Sequence, residues 1–141
     1  MNKYELTIVI VNWNTKQLVL DCLDSIYSNY INDRWNVVVV DNNSQDNSAD
    51  AFEKEYPNIE VIRNKDNIGF AAANNQILKR DDSDFYLLLN SDTYVIGDVL
   101  QKSLDYIQSN ENYGVMGCRV LNSDKSVQYT CSKFPTLKSK V

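Results

Sequence analysis

The chain contains no histidine among its 141 residues. Histidine is the side chain that titrates near neutral pH and the commonest nitrogen ligand of metals. Its absence therefore excludes Ser-His-Asp and Cys-His catalysis, and histidine-ligated metals, within this chain. Any chemistry must use carboxylates, hydroxyls, amides, or a hard cation held by oxygen ligands.

Cysteine, glycine and proline are scarce, with three, four and two residues respectively. The cysteines, Cys22, Cys118 and Cys131, form no Cys-x-x-Cys pair, which favours buried free thiols over a disulfide scaffold. Residues 1–5 are polar, and the apolar run after them is too short for a secretory leader. We therefore expect a reducing, cytoplasmic location.

Long apolar runs and an excess of basic residues are also lacking. No stretch approaches the ~20 apolar residues of a membrane span, so we expect any membrane association to be peripheral, at the inner face. Fourteen basic residues against nineteen acidic ones leave a net charge of -5, which argues against nucleic acid as a partner.

What the chain does contain is an alternation of strand and helix patterns. Buried-strand patterns occur at residues 6–12, 35–41, 59–64 and 85–90. Helical stripes of apolar residues occur at residues 18–30, 49–56, 70–78 and 99–107. A fifth strand is predicted at residues 113–120, and a hairpin turn at 121–127 leads into a sixth. The alternation predicts one α/β domain over residues 1–141 with a mainly parallel sheet.

Unusual polar residues gather where these strands end, and parallel sheets bind ligands beyond the carboxyl ends of their strands. Asp41 follows four valines, where a carboxylate is poorly placed unless it faces that crevice. Two interpretations stay open. The carboxylate could accept the imide N–H of uracil or thymine, or it could bind the backbone of Asn43 or Ser44 as a turn residue.

Asn90 and Asp92 place two oxygen-bearing side chains directly after the fourth strand. They could hold a divalent cation against a diphosphate, or simply cap a turn. A neutral amide at Asn90 predicts weaker metal binding than two carboxylates would give.

The third feature is the segment 67–74, where Gly69 and small residues open a helix. Such a start points free N–H groups at a ligand, although the alanines could equally serve helix-on-sheet packing. Neither G-x-G-x-x-G nor a P-loop motif is present.

In order and spacing, the motifs at residues 9–14, 38–44, 67–74 and 88–93 together resemble the donor-binding half of family 2 glycosyltransferases. They are most similar to the rhamnosyltransferase-like branch, as are residues 117–119, 121–128 and 134–136. The resemblance implies a GT-A fold, in which a Rossmann-like, mainly parallel sheet with flanking helices binds a nucleoside-diphosphate sugar, usually with Mg²⁺ or Mn²⁺.

The resemblance also implies roles for individual residues. Asp41 would hold the pyrimidine of the donor, and Asp92 would be the metal ligand retained from the family's Asp-x-Asp motif. The remaining donor-binding residues would be Asn12, Trp13, Asn14, Asn43, Gly69, Phe70, Asn74, Asn90 and Ser91.

The implied reaction is metal-assisted transfer of a sugar, with inversion, from a UDP- or dTDP-sugar to a glycan or lipid-linked acceptor in cell-envelope polysaccharide biosynthesis. The family's general base is an Asp or Glu that follows the Asp-x-Asp motif. The acids available after Asp92 are Asp98, Asp105, Glu111 and Asp124. The first three fit a solvated helix face and Asp124 fits a hairpin turn, so none is nominated.

Family members are longer than this chain, and we therefore expect the donor-binding N-terminal part without the acceptor-binding C-terminal part. The alternative is a catalytically inactive nucleotide-sugar-binding or regulatory α/β module. A receiver-like module would need an acidic cluster and a lysine at a later strand end, and the sequence shows neither.

Overall fold

The computed structural model describes residues 4–29 and 32–129. The described residues form two compact units, divided between Asp98 and Val99. In chain order the elements are β1 (Tyr4–Asn12), α1 (Lys16–Tyr27), β2 (Trp35–Asp41), α2 (Ser48–Glu55), β3 (Glu60–Arg63), α3 (Phe70–Leu78), β4 (Ser83–Asn90) and α4 (Val99–Gln108). All four strands belong to the first unit.

The strands form one parallel sheet in the order β3-β2-β1-β4. The chain runs outward from β1 to β3, and then crosses back to add β4 on the other side of β1. The direction of winding therefore reverses beside β1, where open α/β sheets hold their ligands. The register pairs Asn12 with Asp41 and Val11 with Asn90. The predicted α/β fold with a parallel sheet is confirmed.

The central strands are apolar because helices cover the sheet. Val38, Val39 and Val40 are fully buried, and α3 packs Ala73 and Ile77 against the sheet. Burial of each of these valine and isoleucine side chains contributes about 1.5–3 kcal/mol. Their β-branching also suits the pleated backbone.

The second unit carries α4 and a hairpin. Residues 121 and 127 form an isolated antiparallel bridge, and Lys125 takes a left-handed φ of 67°. Asp124 accepts hydrogen bonds from the N–H and hydroxyl of Ser126 at 2.9 and 2.6 Å, which lower the pKa of its carboxyl. The turn predicted at residues 121–127 is therefore present.

The strand predicted at residues 113–120 is wrong, because this stretch forms no ladder with any described residue. Val115 is 90% exposed. A strand exists only when another strand satisfies its backbone groups, and an apolar pattern does not reveal whether that partner is present. The sixth strand would lie mostly outside the described residues.

Within the described part of the chain, every helix is too short or too polar to cross a bilayer.

Candidate functional site

A buried pair of polar side chains joins the carboxyl ends of the two central strands. Asn12 is fully buried and Asp41 is 4% exposed. Asn12 Nδ2 lies within hydrogen-bond distance of Asp41 Oδ1 at 2.6 Å, Ser48 Oγ at 2.7 Å and Ser44 Oγ at 3.0 Å, and its two hydrogens are shared among these three acceptors. One amide thus connects β1 to β2, to the loop after β2 and to the start of α2.

The other side of the Asn12 amide fixes the loop that follows β1. Its Oδ1 accepts from the Thr15 hydroxyl at 2.8 Å and from the Thr15 N–H at 3.3 Å. The same hydroxyl lies 3.5 Å from Ser91 Oγ, beyond the end of β4. Asn12 is therefore the polar centre at which the ends of β1, β2 and β4 meet.

Asp41 makes the turn contact that is one of the two interpretations its sequence position left open. Its Oδ2 accepts from the Ser44 N–H at 3.0 Å, which is the turn contact. A carboxylate oxygen accepts more than one hydrogen bond, so Oδ2 retains capacity for a ligand. The carboxylate also lines a cleft of about 160 Å³. The lining residues of this cleft are Asp41, Asn43, Ser44, Asn47, Ser48, Ala49, Asp50, Arg63 and Asn64.

Among the described residues, Arg63 is the only cationic residue that lines this cleft, and its charge is already compensated. Its guanidinium lies 2.7 Å from Glu53 and 2.7 Å from Asp50. Hydrogen bonds to Glu53 and Asp50 raise the pKa of this guanidinium. The cleft therefore combines a buried carboxylate with a fixed guanidinium and several amides.

The loop after β2 is built from residues that tolerate left-handed backbone. Asn43 and Asn47 have φ of 61° and 56°, and Asn14, in the facing loop, has φ of 55°. Asparagine is enriched in this conformation. Asn14 Oδ1 accepts from the Gln45 N–H at 2.7 Å and the Asn14 N–H donates to Ser44 Oγ at 2.9 Å, so the loops after β1 and β2 are tied together.

Asp46 joins the starts of two helices. Its carboxylate accepts from the Lys16 N–H at 3.0 Å and from the Ser48 N–H at 3.1 Å. These are the first residues of α1 and α2. Desolvation raises the pKa of Asp46, but the hydrogen bonds from Ser48 and Lys16 outweigh it, and the net effect is a lowered pKa.

Gly69 and Phe70 form the turn into α3. Gly69 has φ of 81° and ψ of 167°, a region that only glycine occupies readily. Its N–H donates to Asn67 Oδ1 at 2.9 Å. Phe70 is 52% exposed. Asn74, 3% exposed, donates to the Phe70 carbonyl at 2.9 Å, while its Oδ1 is buried without a hydrogen-bond partner among the described residues.

Sequence reasoning missed a chain of amides that positions this turn. Asn42 donates to the Gly69 carbonyl at 3.4 Å, and Asn64 donates to Asn42 Oδ1 at 2.8 Å. Gln76 donates to Asn64 Oδ1 at 2.9 Å. The available signal was that Asn42 follows a buried strand directly, and it is only 2% exposed.

The polar residues after β4 remain open to solvent. Asn90 and Asp92 are exposed and Ser91 is half-buried. Across residues 4–29 and 32–129, neither the side-chain amide of Asn90 nor the carboxylate of Asp92 takes part in a hydrogen bond. Trp13, in the loop after β1, is 57% exposed.

Asn90 and Asp92 supply the amide and carboxylate oxygens that hard cations prefer. The described residues contain no group of three or more His, Cys, Asp or Glu placed to hold a metal unaided. The donor set therefore fits a cation that takes most of its ligands from a diphosphate and from water, as Mg²⁺ does at phosphate sites.

The strand order, the parallel sheet and the reversal beside β1 define a Rossmann-like fold of the GT-A type. The chain belongs to glycosyl transferase family 2, whose model matches residues 7–140. The predicted family resemblance is thereby confirmed.

A named relative is the poly(ribitol-phosphate) beta-glucosyltransferase of Bacillus spizizenii. It is 27% identical over 118 residues, which cover 80% of this chain and 19% of the relative. The chain thus spans about a fifth of that protein.

Two solved structures share the fold. S. aureus TarS 1-349 in complex with UDP-GlcNAc gives a TM-score of 0.68 at 23% identity, covering 76% of this chain and 32% of that one. The mannosyltransferase PcManGT of Pyrobaculum calidifontis, in complex with GDP-Man and Mn²⁺, gives 0.67 at 23% identity, covering 74% and 32%. At this identity the likeness establishes the fold alone.

Proposed function

We propose that the first unit is the donor site of a glycosyltransferase that transfers a sugar, with inversion, from a UDP- or dTDP-sugar to a glycan or lipid-linked acceptor of the cell envelope. The observation that carries the proposal is Asp41, a buried carboxylate that lines a cleft at the carboxyl edge of the sheet. A charge buried there without a cationic partner is costly unless hydrogen bonds compensate it. Donors from Asn12 and Ser44 do so.

Asp41 would recognise the pyrimidine. Uracil and thymine carry an imide N–H, and a carboxylate accepts that proton in a charge-assisted hydrogen bond. The free capacity of Asp41 Oδ2 makes this contact available without breaking the Ser44 turn. Asn14 and Asn43 would form the walls of the nucleoside site, with the buried Asn12 amide behind them holding the Asp41 carboxylate, and the exposed Trp13 ring would cover the site.

Asn90 and Asp92 would face the diphosphate and hold Mg²⁺ or Mn²⁺. When bound, the cation would stabilise the negative charge on the departing diphosphate. Because this chain offers one carboxylate there rather than two, we expect weak metal binding in the absence of nucleotide. Ser91, which contacts Thr15, would keep this loop close to the nucleoside site.

The start of α3 would contact the ribose, the diphosphate and the sugar. Gly69 lets the backbone approach a ligand closely, and the first N–H groups of α3 beyond Phe70 lack intrahelical partners. Asn74 Oδ1, a buried acceptor without a partner among the described residues, would accept a hydrogen bond from a hydroxyl of the sugar donor.

The named relative and neighbours support a nucleoside-diphosphate sugar as the donor. TarS is described with UDP-GlcNAc and PcManGT with GDP-Man and Mn²⁺, and the Bacillus relative glucosylates a polyol-phosphate polymer by its name. A peripheral site at the inner face of the membrane would suit such an acceptor.

Calorimetric titration of this chain with UDP, dTDP and GDP, with and without Mn²⁺, tests the proposal. We expect UDP or dTDP to bind more tightly than GDP, and Mn²⁺ to strengthen binding. Asp41→Asn should weaken nucleotide binding about tenfold or more, with or without metal. Asp92→Asn should abolish only the Mn²⁺ effect.

Asp81→Asn is the matched control. Asp81 lies just before β4, as Asp92 lies just after it, and both residues are exposed. Asp81 has a φ of 50°, which asparagine tolerates. If the folded chain binds no pyrimidine nucleotide, or if Asp81→Asn and Asp92→Asn behave alike, the proposal is wrong. Binding without sugar transfer by the full-length protein would favour the inactive binding module.

A further inference from the structure

Ser25 is a polar side chain in the apolar face of α1. It is fully buried, and the other buried residues of this helix are Val19, Leu20, Cys22, Leu23 and Ile26. Its hydroxyl donates to the Cys22 carbonyl at 2.6 Å and accepts from the Val95 N–H at 2.9 Å. A helix that only packed on the sheet would need no hydroxyl here, so the contact with Val95 distinguishes this position.

Asn29 completes the attachment of Val95. Its Nδ2 donates to the Val95 carbonyl at 3.2 Å and to the Ser25 carbonyl at 2.5 Å. Val95 itself is 4% exposed. Both backbone polar groups of Val95 are therefore bound by side chains, one from the last turn of α1 and one from Asn29 just after that helix, and Val95's own side chain is buried.

The segment between β4 and Val95 is thus fixed at both ends. At its start, Thr93 Oγ1 donates to the Asn90 carbonyl at 2.7 Å, and Cys22 Sγ lies 3.8 Å from Thr93 Oγ1. Asp92 lies inside the turn that Thr93 closes on the Asn90 carbonyl, three residues before Val95, and makes no hydrogen bond with any described residue. The hydrogen bonds that hold this segment are therefore those of Thr93 and Val95.

We propose that Ser25 is a positioning residue for Asp92, which acts by holding the loop of residues 91–94 in the conformation that presents the carboxylate to a metal-bound diphosphate. The inference rests on the proposed donor site. A loop that is ordered before binding loses less conformational entropy when the ligand arrives. Removal of the Ser25 hydroxyl should therefore weaken the contribution of Asp92 while it leaves the nucleoside site at Asp41 intact.

The test is Ser25→Ala, compared with two control variants of the same helix. Ser28→Ala removes an exposed hydroxyl three residues away, and Ile26→Val weakens the adjacent buried packing without touching the Val95 hydrogen bond. UDP binding is titrated with and without Mn²⁺, at a temperature where all variants are folded by circular dichroism. Amide exchange of Val95 and relaxation of the Asp92 amide are measured by NMR in the absence of ligand.

We expect Ser25→Ala to reduce the strengthening of UDP binding by Mn²⁺ about three- to tenfold, the scale of one lost hydrogen bond, with metal-free UDP binding unchanged. The Val95 amide should exchange faster and the Asp92 amide should become more mobile in this variant alone.

Two results would overturn the inference. One is an unchanged Mn²⁺ effect in Ser25→Ala while wild type shows a clear one. The other is an equal loss in Ile26→Val, which would mean that general destabilisation is the cause. If wild type itself shows no Mn²⁺-supported UDP binding, the proposed function fails first and the inference fails with it.

Discussion

The Asn12 amide lies against the Asp41 carboxylate at the carboxyl edge of the sheet, with Nδ2 2.6 Å from Oδ1. The two residues are register partners in neighbouring parallel strands. Their side chains therefore meet because the sheet pairs these positions, although they are 29 residues apart in the chain. The Asn12 side chain is fully buried, and both its nitrogen and its oxygen make hydrogen bonds. The positions of the Asp41 carboxylate, Ser44 and Ser48 therefore depend on it.

Replacement of Asn12 by alanine should lower the free energy of unfolding by about 2–3 kcal/mol, because it leaves a buried carboxylate short of a donor. Urea denaturation followed by circular dichroism measures this loss. Asn36→Ala, at a half-buried position in the neighbouring strand β2, is the control and should change stability much less. Equal losses in the two variants would show that the Asn12 hydrogen bonds do not contribute specially to the free energy of unfolding.

Asp46→Ala should lower the free energy of unfolding by about 1 kcal/mol at pH 7, since the carboxylate binds the first N–H of both α1 and α2. The pKa of Asp46 is lowered in the folded state. Its stabilisation is therefore complete above the unfolded value of about 4 and disappears as the pH falls through the lower folded pKa.

The difference between wild type and Asp46→Ala should accordingly shrink in acid, as urea titrations from pH 7 down to pH 2 would show. Asp46→Asn keeps an acceptor oxygen without the charge, so it should be more stable than Asp46→Ala by an amount that does not vary with pH. A gap between wild type and alanine that stays constant over this range would contradict the assignment.

Gly69→Ala should destabilise the fold by about 1–3 kcal/mol. An added Cβ at this position meets no atom within 4 Å, so the cost comes from the φ of 81° and not from a clash. The same substitution should weaken UDP binding, because the turn into α3 would shift. Gly114, which also has free space around an added Cβ but is not at positive φ, provides the comparison, and its replacement by alanine should be nearly neutral. Thermal denaturation of both variants measures the two stability changes, and an equal loss in Gly69→Ala and Gly114→Ala would contradict the prediction.

Cys22 should resist alkylation in the native state, while Cys118 reacts readily. Burial raises the pKa of the Cys22 thiol to about 11, and its side chain is fully buried, whereas Cys118 is exposed. The thiolate is the reactive form, so at pH 8 Cys22 should react only through opening of the fold. A Cys131→Ser background, labelled with iodoacetamide and analysed by peptide mass spectrometry, separates the two sites. Similar alkylation rates of Cys22 and Cys118 without denaturant would refute this prediction. In urea, where the fold is lost, the two rates should become similar.

The strands and helices of the first unit follow from local pattern. A run of four valines ending in Asp41 specified β2 to the residue, and the Ser48–Glu55 helix stops before Pro57 as its sequence requires. The parallel arrangement followed from the alternation of the elements. The strand expected at residues 113–120 was wrong, because pairing is a property of two segments and the pattern of one segment does not contain it.

The site was foreseeable in part. Strand ends rich in polar residues predicted that polar side chains gather at the carboxyl edge of the sheet, and Asp41 could be singled out because a carboxylate after four valines is poorly placed unless it faces a crevice. The amide chain through Asn42, Asn64 and Gln76 could not be anticipated, because its members come from different elements and an asparagine in a loop has many alternative uses.

By itself, the sequence determined the strands and helices of the first unit, the family and the oxygen-based chemistry that a chain without histidine must use, because all of these depend on local periodicity, on motif order or on composition. The tertiary structure alone decided which polar side chains meet. It placed Asn12 against Asp41 and Ser25 beneath the loop that carries Asp92, because strand register and helix packing bring together residues that are far apart in the chain.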